Sequence, residues 1–229
     1  MHPLDNVIWQ ALTTRQAEFA ETFEQARRFP REITSLTAFL EPSPQGYASL
    51  AGLLGTGGTA TLSLPTPYEP LPGWELIVTF PGLQMVCETG ANVTDSHPDS
   101  APPIIVLGPG DAHEMVELAT LTKPGPFGPR THELGLYLGI RNEGKVIAMA
   151  GERLKVPGYT EVSAVCTHPE HTGKGYARIL MLEVMRAIRE RGEIPFLHVR
   201  QANTRAVELY ERLGFRTRTV VQFTVLKKL

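Results

Sequence analysis

Residues 161–177 read EVSAVCTHPEHTGKGYA and join a strand-like segment to a glycine-rich turn. The first six residues, Glu161 to Cys166, are mostly apolar or small, which is the length and composition of a strand buried on both faces. A His-Pro pair ends that segment, and from Arg178 to Ile188 apolar residues recur at helical spacing. The stretch predicts a strand that leads into a helix through a glycine turn.

The turn itself has the composition of a phosphate-binding loop. It consists of Thr172, Gly173, Lys174, Gly175, Tyr176 and Ala177. The first turn of a helix leaves backbone N–H groups unpaired and carries the positive end of the helix dipole, so a turn there can wrap a pyrophosphate. The two glycines allow the backbone to approach closely, and Lys174 adds positive charge. Because most isolated glycine turns are only turns, a second motif is needed to support this interpretation.

That second motif lies in residues 195–215, which read PFLHVRQANTRAVELYERLGF. Pro195 to Arg200 has the composition of a strand, and the residues after it fall at helical spacing before a glycine stop. The spaced residues are Asn203, Ala206, Leu209, Tyr210, Leu213, Gly214 and Phe215. This motif is the more specific of the two, because all of these residue types must fall at fixed intervals.

In this order, the two motifs resemble motifs A and B of the GNAT superfamily, the acetyl-coenzyme A dependent N-acetyltransferases. The turn of that superfamily runs Arg or Gln, two residues, Gly, one residue, then Gly or Ala, and Gly175 and Ala177 fit the last two positions. Thr172 stands in place of the Arg or Gln, so one side-chain contact to a pyrophosphate is missing, with His171 as a partial substitute. The series from Leu197 to Asn203 looks closest to the glycine N-acyltransferase-like branch.

The resemblance is clearest over residues 161–216 and implies an α/β (α+β) fold, with a mixed central β-sheet flanked by helices. We expect a GNAT acetyltransferase domain over residues 104–229 and a proline-rich connector over residues 95–103. Residues 1–94 are expected to form an additional N-terminal α+β region of unknown role.

Local patterns predict the elements outside the two motifs. Thr13 to Gln16 reads as a capping box ahead of a helix that includes Phe19 to Ala26, and Asp111 to Glu114 as a capping box that opens a helix through Leu121. Strands are expected at 59–64, 74–88 and 104–107, a hairpin at 134–154, and a C-terminal hairpin from Phe215 to Leu226.

The resemblance implies acetyl-CoA as the acyl-donor substrate, no metal, and direct transfer to a primary amine in a ternary complex. Val165, Cys166, Thr167 and Asn203 would bind coenzyme A together with the six residues of the turn, and the N–H of Val165 would polarise the thioester carbonyl. Tyr210 would be the general acid, because a phenol with a pKa of about 10 suits the protonation of a thiolate. Core packing of Tyr210 and helix N-capping by Asn203 are the alternative roles.

Two carboxylates are candidates for the general base. Glu161 lies eleven residues before Thr172, where the resemblance places the base of histone-acetylating members, and Glu152 on the neighbouring predicted strand would face the same cleft. An exposed strand-end carboxylate is an equally good interpretation of either residue, and a water chain is another way to remove the proton.

Composition excludes several classes of partner. The 229-residue chain has 42% hydrophobic residues, a formal net charge of −2 and a pI near 6.4, so it has no general attraction for nucleic acid or acidic membranes. No apolar run reaches the roughly 18 residues of a membrane span, and Met1 to Pro30 lacks a signal-peptide core. Cys87 and Cys166 suggest reduced thiols in a cytoplasm. We expect a small-molecule or peptide amine as the acceptor, with a homodimer as an open option.

Other patterns are explained without a ligand. Gly55, Gly57 and Ala60 match a dinucleotide fingerprint in spacing, but they follow a helix-like segment and precede a strand, which inverts the required context. His168 and His171 flank the turn without a cysteine pair, so loop solvation explains them better than a metal site.

A non-catalytic acyl-CoA-binding sensor or regulatory module is the alternative function.

Overall fold

The computed structural model describes residues 2–69, 71–88 and 102–229. These residues form five α-helices: α1 (Val7–Thr13), α2 (Pro44–Leu54), α3 (Ala112–Thr122), α4 (Tyr176–Glu190) and α5 (Thr204–Arg212). The strands are β1 (Glu21–Phe23), β2 (Ala26–Arg28), β3 (Thr37–Phe39), β4 (Thr59–Leu64), β5 (Trp74–Val86), β6 (Ile104–Leu107), β7 (Tyr137–Asn142), β8 (Lys145–Val156), β9 (Tyr159–Thr167), β10 (Ile194–Arg200) and β11 (Arg216–Lys228). Across the described residues, no helix combines the length and the apolar character that a membrane span requires.

Eight of the strands form one sheet in the order β4-β11-β5-β10-β9-β8-β7-β6. Neighbouring strands of this sheet are antiparallel, except for β9 and β10, which are parallel. β1, β2 and β3 form a separate antiparallel sheet. The predicted α/β architecture with a mixed central sheet is confirmed.

Helices cover both faces of the large sheet. On one face, Leu180, Val184 and Ile188 of α4 are fully buried at a spacing of four residues and share a core cluster with Leu197 of β10. The α1 helix packs in a different cluster, which contains Phe196. Because neighbouring residues of a strand point to opposite faces, these two clusters lie on the two sides of the sheet.

The N-terminal region contributes strands to the same large sheet. β4 lies at its edge, and β5 lies between β11 and β10, where residues 82–86 pair with β10. Residues 95–101 of the predicted connector lie outside the described residues, so the division at this connector stays a proposal. Whatever the boundary, β5 belongs to the sheet that holds β9 and β10.

The predicted strands at 59–64, 74–88 and 104–107 are confirmed as β4, β5 and β6, and the predicted hairpin is confirmed as β7 and β8. The helix predicted over Phe19 to Ala26 is wrong, because β1 and β2 form a hairpin there and β2 also pairs with β3. The pairing of β1, β2 and β3 into a sheet overrides the local helical pattern. Thr13 ends α1, and its hydroxyl donates to the carbonyl of Trp9 at 2.7 Å.

The predicted C-terminal hairpin is also wrong, since Arg216 to Lys228 forms one continuous strand. This segment contains no Gly, Pro, Asn or Asp, so it lacks the residues that make a tight turn, and it pairs with β4 on one side and β5 on the other. The capping box predicted at Asp111 does not form, although the helix after it does. The Asp111 carboxylate instead accepts the N–H of Gly108 at 2.8 Å and pairs with Arg141.

Candidate active site

The two parallel strands of the sheet separate partway along their length. β9 and β10 pair only from Tyr159 to Glu161 and from Ile194 to Phe196. Beyond these pairs, β9 continues to Thr167 and β10 to Arg200. We call the space between residues 162–167 and 197–200 the wedge. Its two sides are backbone edges that do not pair with each other, so they are available to a polar, extended ligand.

A bulge in β9 lies directly beside the wedge. Ala164 has a φ of 53°, in the left-handed region, and the register with β8 shifts between the Ser163–Gly151 and Cys166–Met149 pairs. A bulge of this kind re-aims the backbone that follows it, and left-handed residues other than glycine concentrate at functional sites. Val165, which follows Ala164, has no partner in the β8 ladder. The predicted oxyanion donor is therefore placed at an irregular position of the strand.

The glycine turn forms the start of α4. Gly173 and Gly175 have φ values of 81° and 79°, and beyond the adjacent residues no atom lies within 4 Å of where a Cβ would be placed on either one. No side chain caps the helix, so its first N–H groups remain open to a ligand. Thr172 is exposed, and its hydroxyl donates to the carbonyl of Pro169 at 3.0 Å. An uncapped helix start with open glycines is a suitable cradle for phosphate oxygens.

Three side chains with metal-ligand chemistry precede this turn. His168, Glu170 and His171 offer ligand atoms that all lie within 4.8 Å of one another. The centroids of the two imidazole rings are 5.7 Å apart. The Nδ1 of His171 is buried without a hydrogen-bond partner among the described residues. Ligands on one zinc ion are roughly 3.3 Å apart, given bonds of about 2.0 Å. In their present positions, these side chains do not form a closed metal site.

Tyr210 lies on α5 and is nine per cent exposed in the same cluster as α4. Its ring packs against Phe215 at a centroid distance of 6.2 Å. Burial, with a smaller contribution from nearby Cys166, raises the pKa of Tyr210 to about 12. Tyr210 therefore packs in the core, in the same cluster as Leu197 and Val199 of β10.

Asn203 is the N-cap of α5, where its Oδ1 accepts the N–H of Ala206 at 3.3 Å. The capping role weighed from the sequence is therefore confirmed, and coenzyme A binding by this side chain stays a prediction. Asn203 is exposed at the end of β10, next to the mouth of the wedge. The two roles are compatible because one amide has both an acceptor oxygen and donor hydrogens.

Glu161 is a buried ion-pair residue, so its interpretation as an exposed strand-end carboxylate is wrong. Its side chain is 0% exposed, and Arg153 donates to both oxygens at 2.7 and 2.8 Å. His198 lies 2.7 Å from one oxygen, and the N–H of Leu154 donates to the other at 3.3 Å. Burial alone would raise the pKa of Glu161, but Arg153 and His198 outweigh it and lower the pKa to about 2.

Glu152 is also enclosed, with a side chain that is 1% exposed. It pairs with Arg191 at 2.6 Å and with Lys155 at 3.0 Å. The expectation of an exposed carboxylate is wrong here too. Both carboxylates are held by basic side chains, so neither offers an open lone pair to an incoming amine.

Sequence reasoning did not assign a role to Arg153, His198 or Gln84. Each is a buried polar residue inside a strand whose other residues are mostly apolar. Buried polar side chains are hydrogen-bonded in native structures, so a His or Gln within such a strand is the signal that could have found them. Their partners lie on neighbouring strands and are not visible from local spacing.

Comparison with known proteins supplies the family. Residues 137–224 match the sequence profile described as FR47-like protein. The chain is 38% identical to a candidate acetyltransferase from the GNAT family of Novosphingobium aromaticivorans DSM 12444, with 100% of both chains covered and a TM-score of 0.90. No curated protein matches the chain.

Two more distant structures support the fold alone. A GCN5-related N-acetyltransferase from Kribbella flavida is 15% identical, covers 98% of this chain and 95% of its own, and has a TM-score of 0.62. A GCN5-related N-acetyltransferase-like protein from Streptococcus suis 89/1591 is 16% identical, covers 82% and 69%, and has a TM-score of 0.51. Since the Novosphingobium relative matches over the full length, the chain belongs to the GNAT family of acetyltransferases.

Proposed function

We propose that this protein transfers an acetyl group from acetyl-CoA to a primary amine, in one step within a ternary complex. The observation that carries the proposal is the wedge, with the bulge at Ala164 on one side and the open start of α4 at its end. Acetyl-CoA, when bound, supplies an activated thioester. Every other contribution comes from residues of this chain.

The residues around the wedge fit the shape and charge of coenzyme A. The pyrophosphate would lie on the N–H groups of residues 173–177, where the glycines leave open space and Lys174 is exposed. The pantetheine arm would lie along Val165, Cys166 and Thr167, with the Asn203 amide at the mouth. A β-branched residue in place of either glycine would fill the cradle, so these two positions are the ones on which the fit depends.

Val165 is proposed to stabilise the oxyanion through its backbone N–H. Val165 follows the bulge and has no register partner in β8. A preorganised N–H that points to the developing negative charge is a strong catalytic device. Any side chain could occupy this position, because the group that acts is the backbone.

Tyr210 is proposed to stabilise the departing thiolate. Its pKa of about 12 is higher than the value of about 10 used in the sequence argument, so the phenol stays neutral and remains a donor throughout the neutral range. The higher pKa also makes complete proton transfer to a thiolate less favourable. We therefore assign Tyr210 a hydrogen bond that stabilises the thiolate sulfur, and the transfer does not require the phenol to give up its proton.

Direct transfer is favoured over an acyl-cysteine intermediate. Burial raises the pKa of Cys166 to about 11, so the thiol beside the wedge stays protonated near neutral pH. The thiolate is the nucleophilic form of cysteine, and a protonated, buried thiol is inert. The amine of the acceptor then attacks the thioester itself.

No protein carboxylate is assigned as the base. The oxygens of Glu161 accept four N–H donors, and Glu152 lies between Arg191 and Lys155. We propose that a water molecule removes the proton from the amine, or that the amine binds neutral. The acceptor itself is proposed to be a small-molecule or peptide amine.

The test is to incubate the purified protein with acetyl-CoA and a panel of amines that includes amino acids, polyamines and peptides, and to measure thiol release. We expect release that depends on one class of amine. An amino-acid acceptor would support the glycine N-acyltransferase-like branch, which stays a prediction. Tight acetyl-CoA binding without transfer to any amine would contradict the proposed function.

A further inference from the structure

A line of polar side chains crosses five adjacent strands of the large sheet. In sheet order, the residues are Arg153 on β8, Glu161 on β9, His198 on β10, Gln84 on β5 and Arg218 on β11. Successive contacts are 2.7 Å for Arg153–Glu161, 2.7 Å for Glu161–His198, 3.1 Å for His198–Gln84 and 2.8 Å for Gln84–Arg218. Arg218 also pairs with Asp5, which precedes α1. We call these six residues the cross-strand network.

The partners of Gln84 fix the direction of the hydrogen bonds. Its Oε1 accepts from Arg218, which can only donate, and its Nε2 donates to the carbonyl of Leu4 at 3.0 Å, which can only accept. The amide orientation is therefore determined. The same Nε2 faces the Nε2 of His198, so the ring nitrogen must be the acceptor.

The tautomer of His198 follows from this assignment. With a lone pair on Nε2, a neutral imidazole carries its proton on Nδ1. That Nδ1–H then donates to Glu161, which agrees with the distance of 2.7 Å and with the fact that a carboxylate can only accept. The network holds a charged pair at each end, Arg153 with Glu161 and Arg218 with Asp5, and one neutral histidine between Glu161 and Gln84.

The position of this bond in the sheet gives it a role at the wedge. Glu161 and Phe196 form the last pair between β9 and β10, and His198 lies two residues farther along β10. The bond from His198 to Glu161 therefore joins the two strands where they begin to separate. Both side chains are almost fully buried, at 4% and 0% exposure, so water does not replace the contact.

We propose that His198 is a positioning residue for acyl transfer, held in its Nδ1–H tautomer by the cross-strand network so that β9 and β10 separate by a fixed amount. This inference rests on the proposed function, because the separation sets where the Val165 N–H lies relative to a bound thioester. His198 does not need to touch either substrate.

The network also gives the N-terminal segment a role at this site. At one end, Asp5 holds Arg218 and the Leu4 carbonyl holds Gln84. At the other end, the Gln16 amide donates to the carbonyl of Arg153 at 2.8 Å and accepts the N–H of Lys155 at 3.0 Å. N-terminal residues therefore form hydrogen bonds or ion pairs at both ends of the network, and in this way they contribute to the geometry of the wedge.

The experiment compares His198→Ala with His198→Asn in the full-length protein. The Asn amide nitrogen can donate to Glu161 from nearly the position of Nδ1, so it should restore the contact that Ala removes. We expect His198→Ala to lower kcat by about 100-fold, the scale of a misplacement of about 1 Å, and to change the KM for acetyl-CoA less than threefold. The kcat of His198→Asn should be at least tenfold higher than that of His198→Ala.

The matched control is Val184→Ala, which alters a fully buried residue on the opposite face of the sheet. It should destabilise the protein and leave kcat within threefold of wild type. If His198→Ala does not fold, Arg218→Ala at the exposed end of the network replaces it, with an expected several-fold fall in kcat. A kcat for His198→Ala or Arg218→Ala that equals the value of the control would overturn the proposal.

A second readout does not depend on turnover. In ¹⁵N spectra of the ring nitrogens, wild-type His198 should be protonated at Nδ1 and unprotonated at Nε2. A proton on Nε2 would overturn the assignment. Wild-type protein that shows the Nδ1–H tautomer but transfers no acetyl group would contradict the proposed function and leave the network standing.

Discussion

The start of α4 and the cross-strand network, two regions beside the wedge, are built in opposite ways. At the start of α4, the backbone is exposed, uncapped and held in left-handed conformations at Gly173 and Gly175. In the cross-strand network, Glu161, His198 and Gln84 are buried and each is hydrogen-bonded on more than one side. A region that receives a ligand keeps donors open, whereas a region that sets geometry leaves none open. Single substitutions can alter one of these regions without the other.

The largest expected effect is on stability, from Glu161→Gln. The substitution leaves Arg153 buried without its counter-charge, and breaking a buried pair in this way costs about 3–5 kcal/mol. Urea unfolding measures the change in the free energy of unfolding. The matched control is Glu133→Gln, which removes the exposed pair with Arg130 and should cost far less, because water screens that pair. Equal costs for the two variants would contradict the buried-pair interpretation.

The same pair predicts a pH dependence. Because the folded-state pKa of Glu161 lies near 2, below the unfolded value of about 4.3, its contribution to stability is complete above that unfolded value. The contribution is lost as the pH falls from about 4.3 to about 2. Wild-type protein should lose stability in this window more steeply than Glu161→Gln, which has no carboxylate to protonate there.

Tyr210→Phe is expected to have the next largest effect, a fall in kcat of about 100-fold with little change in acetyl-CoA affinity. The ring keeps its packing against Phe215, while the hydroxyl that would donate to the thiolate is lost. Tyr47→Phe is the matched control, since Tyr47 has the same 9% exposure and its pKa is likewise raised to about 12 by burial. If both variants keep wild-type kcat, Tyr210 has no part in the reaction.

Gly175→Ala should weaken acetyl-CoA binding by about tenfold, or about 1.4 kcal/mol, because the strained residue shifts the N–H groups of the cradle. Calorimetric titration measures the Kd. Gly192→Ala is the control, since Gly192 has a φ of 75° and open space around it at the other end of α4. It should bring similar backbone strain and leave the Kd unchanged. A loss of affinity in both variants would point to helix stability and not to the cradle.

The smallest expected effect is a lower KM for acetyl-CoA in the Thr172→Arg variant. An arginine at this exposed position would supply the side-chain contact to the pyrophosphate that the family pattern has and this chain lacks. We expect the KM for acetyl-CoA to fall by about threefold without a change in kcat. Thr172→Gln is the uncharged comparison. An unchanged KM in both variants would show that the backbone alone carries the contact.

The sequence predicted the parts of the fold that depend on local order. The segment from β9 through α5 follows directly from apolar periodicity and glycine positions, and the mixed sheet followed from the family resemblance. The predicted N-terminal helix was wrong because β2 pairs with its neighbours β1 and β3. The predicted C-terminal hairpin was wrong because β11 pairs with β4 and β5, which are distant in the chain. Non-local pairing cannot be read from spacing.

The same limit applies to the site. The glycine turn and Tyr210 were identified because their motifs are contiguous, and Asn203 was correctly foreseen as a helix cap. Glu161 was singled out, but its burial was not foreseen, since Arg153 and His198 reach it from the adjacent strands β8 and β10. The charge state of a carboxylate depends on such neighbours, so its role requires the three-dimensional arrangement.

The most direct test of the central claim is amide hydrogen exchange with and without acetyl-CoA. If the wedge and the glycine turn hold the acyl donor, residues 162–167 and 173–177 should gain protection when acetyl-CoA is added, while residues 21–28 in the separate sheet should not change. Protection confined to other segments, or no change at saturating acetyl-CoA, would contradict the account.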